Sequence, residues 1–294
     1  HNYISKSKIK DFFEKIWDTK EIMGEAPIMS LSQIQFLDIQ IKGHSQKRLI
    51  NLLEEYYLKT KGVKINRCNN TNVKKYIYLD DCMYTGLTLI KDICNWIDNM
   101  NPNSYTQLDV ILLGKYNGNV DYVNGCLIKK CNVKGITVKI YSMYEYNNNF
   151  HYVPPYDVLW PQYMDDDEYV NAYVQYMEEQ KKITGKGGLG FRNTYLGKES
   201  DLFTSSYNRV VLEKALLKKG AYICSLPQNR NERMKPMGYS HGISLGFGAF
   251  FATCFNISNN CPLAFWWGDL WSLSSETLGK WYPLLPREVN CQKR

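Results

Sequence analysis

The sequence predicts an α/β fold built on a parallel sheet, with a mixed, aromatic-rich extension at its C-terminal end. Three observations lead there. Over the first half of the chain, short apolar or alternating runs of strand type are separated by runs with helical spacing. One of those strands leads into Asp80-Asp81 and then a Thr-Gly turn before a helix. Past residue 153 the alternation gives way to a glycine- and aromatic-rich pattern.

Taken in order, residues 4–17 place Ile9, Phe12, Phe13, Ile16 and Trp17 at helical spacing. Residues 34–41 alternate and read as a strand, and Lys42-Gly43-His44-Ser45 reads as a turn. Ser45 is suited to cap a helix over 46–61, which Gly62 closes. Residues 74–79 form a strand ending at Asp80-Asp81, followed by a helix over 88–100 that Asn101-Pro102-Asn103 stops. A fully apolar strand over 108–113, a helix over 120–130 and a strand over 136–141 complete the alternating part. Beyond it, 165–182 reads as a helix with an acidic first turn (Asp165, Asp166, Asp167, Glu168), which suits the helix dipole. A helix over 207–219 and a short strand over 221–225 follow, then a weakly periodic stretch over 238–281. The natural boundary is near Val153-Pro154-Pro155, giving a core over 1–153 and an extension over 154–294 packed on it. One continuous domain with a C-terminal elaboration fits the same pattern.

Composition bounds the function. In 294 residues, 44% are hydrophobic and 22% charged, which excludes disordered and fibrous classes. The net charge of +7 suits an anionic partner, nucleic acid or a phosphorylated small molecule, and equally a plain solvated surface. Lysines at 129, 130, 134, 139, 181, 182 and 186 are scattered in the manner of such a surface. The nine cysteines are odd in number and contain no C-x-x-C pair, so they read as reduced thiols of a cytosolic protein. The longest apolar run, 243–255, is too short and too glycine-rich to span a bilayer. Residues 6–20 are a charged amphipathic stretch and not a signal peptide, and a start at His1 predicts a processed or trimmed terminus.

The chemistry-bearing segment is Tyr76-Ile77-Tyr78-Leu79-Asp80-Asp81-Cys82-Met83-Tyr84-Thr85-Gly86-Leu87-Thr88. A strand ending at the carboxyl edge of a parallel sheet points into the ligand crevice. Adjacent acids there can accept hydrogen bonds from ribose 2′- and 3′-hydroxyls and steady positive charge developing at ribose C1. A turn from Tyr84 through Thr85, Gly86 and Leu87 to Thr88, at a helix N-terminus, suits a 5′-phosphate, bound by backbone N–H groups and the two threonine hydroxyls. Gly86 would let the backbone approach that group closely. The competing reading is a surface turn in which the acids merely end a strand and Thr85 caps a helix.

This segment resembles the phosphoribosyl-pyrophosphate (PRPP) signature of type I phosphoribosyltransferases. It matches at both acids, at Thr85-Gly86 and at Thr88, and departs at Tyr84, where that family has a small polar or acidic residue. The resemblance implies Asp80 and Asp81 as catalytic residues, with Mg2+ bridging ribose and leaving pyrophosphate near them. It also implies a pyrophosphate loop after an early strand, for which Lys42, Gly43, His44 and Ser45 are the candidates, a tight turn being the alternative.

Further short blocks extend the likeness: Tyr207-Asn208-Arg209, Gly238-Tyr239-Ser240-His241-Gly242, Gly246-Phe247-Gly248, Asn259-Asn260-Cys261-Pro262-Leu263, Phe265-Trp266-Trp267-Gly268 and Gly279-Lys280-Trp281-Tyr282-Pro283-Leu284. With the acid motif, these resemble the phosphoribosyltransferase-like family of bacterial conflict systems. That resemblance implies a cytoplasmic anti-phage effector, a retron toxin held with a reverse transcriptase, an RNA–DNA hybrid (msDNA) and a winged-helix protein. A catalytically inactive nucleotide sensor or docking module, and a nucleotide-salvage enzyme, are the alternatives. Arg209 and His241 are additional site candidates. The G-x-G-x-x-G letters of 185–190 follow a helix and not a strand, which favours a mobile loop, a lid or a partner contact, over a dinucleotide site. Trp266, Trp267, Trp271, Trp281 and Tyr282 suit either base stacking or core packing, and Asp269 is a polar handle beside them.

Overall fold

The computed structural model describes residues 3–67, 73–149, 155–186, 190–192, 200–227, 231–268 and 280–285. Several of the residues singled out above lie outside them: His1, Val153, Pro154, Gly187, Gly188, Leu189, Asp269, Trp271 and Gly279, with two of the nine cysteines, Cys68 and Cys291. The chain divides into two compact units, one of Ile4–Asn149 with Thr253–Phe255, the other of the remainder.

In the first unit the alternating pattern becomes α1 (Lys6–Asp18), β1 (Ile34–Leu37), α2 (Ser45–Lys61), β2 (Lys75–Met83), α3 (Leu87–Met100), β3 (Gln107–Tyr116), α4 (Val120–Asn132) and β4 (Thr137–Tyr146). The four strands form one parallel sheet in the order β1-β2-β3-β4. This is the α/β, parallel-sheet architecture that the alternation predicts. Ser5 caps α1, its hydroxyl accepting from Lys8 N–H. Gly62 closes α2 in the left-handed region at φ 70°. On one face of the sheet Tyr76, Tyr78, Leu108, Val110 and Leu112 pack with Leu89, Ile93 and Trp96 of α3 and Val123 and Leu127 of α4. The Tyr76 and Trp96 rings meet edge-on at 4.8 Å, a contact worth about 0.5–1.5 kcal/mol beyond burial.

Among the boundaries that differ from the sequence reading, four have a clear local reason. The first strand stops at Leu37 instead of 41, because the backbone N–H groups of Ile39 and Gln40 turn to the Gln46 side chain. Strand β2 does not end before the acids but runs through them, pairing Asp80 with Leu112 and Cys82 with Gly114. Ser45 does not cap α2; His44 is the cap residue, and the Ser45 hydroxyl is engaged elsewhere. The short strand expected over 221–225 is the last turn of a helix.

That helix belongs to the second unit, where α5 (Glu168–Thr184) and α6 (Ser206–Ser225) pack together. Gly220 lies against the Pro236 backbone, where a Cβ would sit 2.4 Å from its carbonyl oxygen, and Ala221, Ile223 and Cys224 then point inward. An apolar run this short does not by itself separate strand from buried helix. Helix α5 begins three residues later than its acidic run suggests: Asp167 caps it by accepting from Tyr169 and Val170 N–H, while Asp166 pairs with Lys218. Gly185, at φ 66°, is the C-cap of α5, its N–H bonded to the Lys181 carbonyl, as a loop reading requires. Residues 231–268 have little regular structure; Leu263–Trp266 is a single helical turn and Ala252–Thr253 a two-residue strand. No disulfide forms among the described cysteines. No helix among the described residues is long and apolar enough to cross a membrane.

Candidate functional site

The site grows from β2. Alternate strand residues share a face, so Tyr78 and Asp80 point the same way. The Tyr78 hydroxyl donates to Asp80 Oδ2 at 3.3 Å and to Asp92 Oδ2 of α3 at 3.1 Å. Asp92 Oδ1 accepts from Ile41 N–H at 3.1 Å. Across the sheet edge, Ser45 donates its hydroxyl to Asp80 Oδ1 at 2.7 Å, joining residues 35 apart in sequence. Gln40 Nε2 reaches both Ser45 Oγ at 3.1 Å and Asp80 Oδ2 at 3.5 Å. The Gln46 side chain, fully buried, accepts from Ile39 and Gln40 N–H at 2.7 and 2.9 Å. The turn of Lys42, Gly43, His44 and Ser45 is thus anchored against the acid motif. Lys42, Gly43 and His44 themselves are exposed, and Gly43 takes φ 97° at the tip, a conformation that favours glycine.

The two acids are unequal. Asp80 is only 9% exposed, and Ser45, Tyr78, Gln40 and Asp81 N–H all donate to its carboxylate. Asp81 is half-buried and accepts from Cys82 N–H at 2.7 Å. Burial pushes the Asp80 carboxyl above its ordinary value, against the lowering effect of the Ser45 and Asp81 donors. Burial, then the charge of Asp80, pushes Asp81 well above its ordinary value. Asp92 is raised by burial too. Tyr78 is pushed well above 10.0, first by burial and then by both carboxylates, so it stays a donor. Asp80 and Asp92 therefore share one phenol, Asp80 also takes the serine, Asp81 stands beside them, and none of the three carboxyl groups forms an ion pair among the described residues. Such a cluster is stabilised by added donors or positive charge.

Beyond the acids, Tyr84, Thr85 and Gly86 make the turn onto α3. Tyr84 is half-buried and stacks on Tyr116 at 5.5 Å, and Tyr116 stacks on Tyr146 at 5.0 Å. That column accounts for the departure from the family pattern at this position. Gly86 is the N-cap of α3 at φ 76°, and no side chain caps the helix, so Thr85 is not its cap. A Cβ on Gly86 would lie 2.2 Å from Val123 Cγ2. Helix packing therefore demands glycine here, independently of any approach to a ligand. Thr85 is half-buried, while Leu87 and Thr88 are exposed at the helix start.

Among the described residues, no group of three His, Cys, Asp or Glu side chains is arranged to hold a metal. The donor chemistry is nonetheless that of a hard cation held by one or two carboxylates plus ligand phosphates, the usual arrangement for Mg2+. Asp81, whose carboxyl is less engaged than that of Asp80, is the fitting protein ligand.

The additional candidates fall in the second unit. Arg209 is fully buried and structural: its Nε donates to Glu213 at 2.8 Å, another nitrogen donates to the Val158 carbonyl at 2.7 Å, and its guanidinium lies 4.4 Å from the centre of the Phe203 ring. Arg192 closes the triad on the other Glu213 oxygen at 2.9 Å. His241 is exposed, edge-on to Tyr239 at 6.1 Å. Trp266, Trp267 and Trp281 belong to the hydrophobic cluster, and the indoles of Trp266 and Trp281 donate to the Cys261 and Ala264 carbonyls. Tyr282 is exposed.

Tyr78, Asp92, Gln40 and Gln46 were not among the predicted site residues. A signal existed for two of them. Tyr78 stands two residues before Asp80 on the same strand face, and Asp92 interrupts the apolar stripe of Leu89, Ile93 and Trp96. The glutamines carry no comparable mark.

A family model described as PRTase-CE matches residues 1–287 of the chain. No curated protein and no solved structure matches it.

Proposed function

We propose, since the chain belongs to the PRTase-CE family of phosphoribosyltransferase-like effectors, that the Asp80–Thr88 segment binds a 5′-phosphorylated ribose, as PRPP or a nucleotide, and acts at ribose C1. Asp81, with Asp80 behind it, accepts hydrogen bonds from the ribose 2′- and 3′-hydroxyls. The bond at C1 breaks with its electron pair leaving on pyrophosphate or base, the acid pair steadies the positive charge on the ribose, and water or an acceptor nucleophile forms the new bond at C1, giving up its proton to solvent. Tyr84, Thr85, Gly86, Leu87 and Thr88 receive the 5′-phosphate at the start of α3. Asp81 would be the protein ligand of a Mg2+ ion, which would supply positive charge to the diphosphate.

The observation that carries this reading is the 2.7 Å hydrogen bond from Ser45 to Asp80. It brings the early-strand turn, the candidate pyrophosphate loop, to the acid motif, as a PRPP site requires. The raised carboxyl cluster without a cationic partner supports it further, because ribose hydroxyls and a divalent cation supply what the cluster lacks. The wider reading, that of an anti-phage retron toxin working with a reverse transcriptase, msDNA and a winged-helix protein in a bacterial cytoplasm, rests on the family resemblance. One observation favours a second reading, a nucleotide-sensing module without turnover: the Asp80 oxygens are already engaged by Ser45, Tyr78 and Gln40.

The test is metabolite profiling of bacteria expressing the chain, beside the Asp80→Asn/Asp81→Asn variant. Release of pyrophosphate or free base, and growth arrest, are expected from the parent chain alone. Equal arrest from the folded double variant would refute the site. Binding without release would establish the sensor.

A further inference from the structure

We infer that the second unit carries its own binding cleft for a small phosphate-bearing ligand of nucleotide type, between α5 and the turn that contains His241. The cleft holds about 270 Å3 and is lined by Tyr173, Tyr176 and Met177 of α5, by Lys186 just beyond the end of that helix, and by Arg233, Lys235 and His241. Three permanent cations thus share one concavity with a single carboxylate, Glu232. Neither Lys186 nor Arg233 forms an ion pair among the described residues, so Glu232 does not neutralise them. Lysine is seldom buried, yet Lys235 is 4% exposed at this wall, its ammonium bonded to the Glu232 carbonyl at 3.0 Å.

The wall is built before any ligand arrives. Arg233 is oriented by donating to the Tyr239 hydroxyl at 3.1 Å. The turn itself is pinned at both ends. Asn260 Nδ2 donates to the Tyr239 carbonyl at 2.8 Å, Ser240 and Ser244 hydroxyls meet at 2.9 Å, and the buried Tyr173 hydroxyl donates to the Ser244 carbonyl at 3.0 Å. Gly242, at φ 72°, gives the turn its reversal. Arg233 and Lys235, each already held by a hydrogen bond, lose little freedom on meeting an anion, and planar guanidinium suits phosphate oxygens. The half-buried Tyr176 and Met177 offer an apolar surface for the organic part. The volume admits one phosphoryl group with an adjoining ring, which fits a mononucleotide better than a polynucleotide backbone tracked over several phosphates.

The test is isothermal titration of the full chain carrying Asp80→Asn/Asp81→Asn, which weakens the first site, with adenosine 5′-monophosphate, inorganic phosphate, adenosine and a ten-nucleotide oligomer. The monophosphate should bind, adenosine at least tenfold more weakly, and Lys186→Ala/Arg233→Ala should cost at least tenfold with an unchanged melting temperature. Should the charge-removing pair unfold the chain, Arg233→Lys replaces it and should weaken binding several-fold. The inference is overturned if the monophosphate does not bind, if adenosine binds as tightly, if the lysine–arginine variants bind unchanged, or if the oligomer binds much more tightly than the monophosphate.

Discussion

Gly86→Ala has a cost that can be worked from the geometry. The residue sits at φ 76°, and a left-handed backbone costs a non-glycine residue about 1–2 kcal/mol. Its new Cβ would meet Val123 Cγ2 at 2.2 Å, and Val123 is fully buried in α4. Overpacking of this kind costs about 1–3 kcal/mol. The expected loss is therefore about 2–5 kcal/mol, read as a fall in the urea midpoint. The two contributions separate in a double-mutant cycle. Val123→Ala alone costs about 2 kcal/mol through lost burial and the cavity it leaves. In the double variant the clash is gone and only the backbone strain remains, so the combined cost falls short of the sum by about 1–3 kcal/mol. Costs that add to within about 0.5 kcal/mol would refute the packing account of this glycine.

Three further outcomes follow from the same contacts. Glu213→Ala leaves Arg192 and Arg209 buried without their shared carboxylate, and should cost about 3–5 kcal/mol in thermal unfolding. The Asp92 carboxyl is raised above 3.8 by burial, so the folded chain binds more protons than the unfolded one between 3.8 and the raised value. Its contribution to stability is full below 3.8 and is lost as pH rises through the raised value. Asp92→Asn, which keeps an acceptor for Ile41 N–H, should flatten that fall in unfolding free energy over the window from 3.8 up to the raised value, and an unchanged slope would speak against a buried titrating carboxyl there. Tyr84→Ala removes the stack on Tyr116 and should cost about 0.5–1.5 kcal/mol beyond lost burial, measured against Tyr84→Leu.

What was legible in the sequence follows from which signals are local. The parallel sheet was legible because each strand and helix carries its own period, and Gly62 marks the end of a helix where the sequence placed it. The acid motif was legible as a string. The extent of β2 was not, because an Asp–Asp pair reads as a strand terminus, while pairing with β3 carries the strand on to Met83. The role of Ser45 was misread for a similar reason. A serine before a helix has a strong local use as a cap, and its actual partner lies 35 residues away. Arg209 looked available as a charge in a motif, but only the fold reveals Glu213 and Val158 as its partners. The Ala221–Ser225 run is apolar in either conformation, so its place at the end of a helix was decided by the close approach of Gly220 to Pro236.

The central claim is that Asp81 and the turn from Tyr84 to Thr88 receive a ribose 5′-phosphate. Titration calorimetry of PRPP with Mg2+ into the full chain and its Asp81→Asn variant tests it most directly, at matched melting temperatures. One bound PRPP per chain is expected for the parent at this site, with affinity at least tenfold weaker in the variant, since a charge-assisted hydrogen bond is worth about 1.5–3 kcal/mol. Equal affinity in the two proteins, or no binding to either, would contradict it.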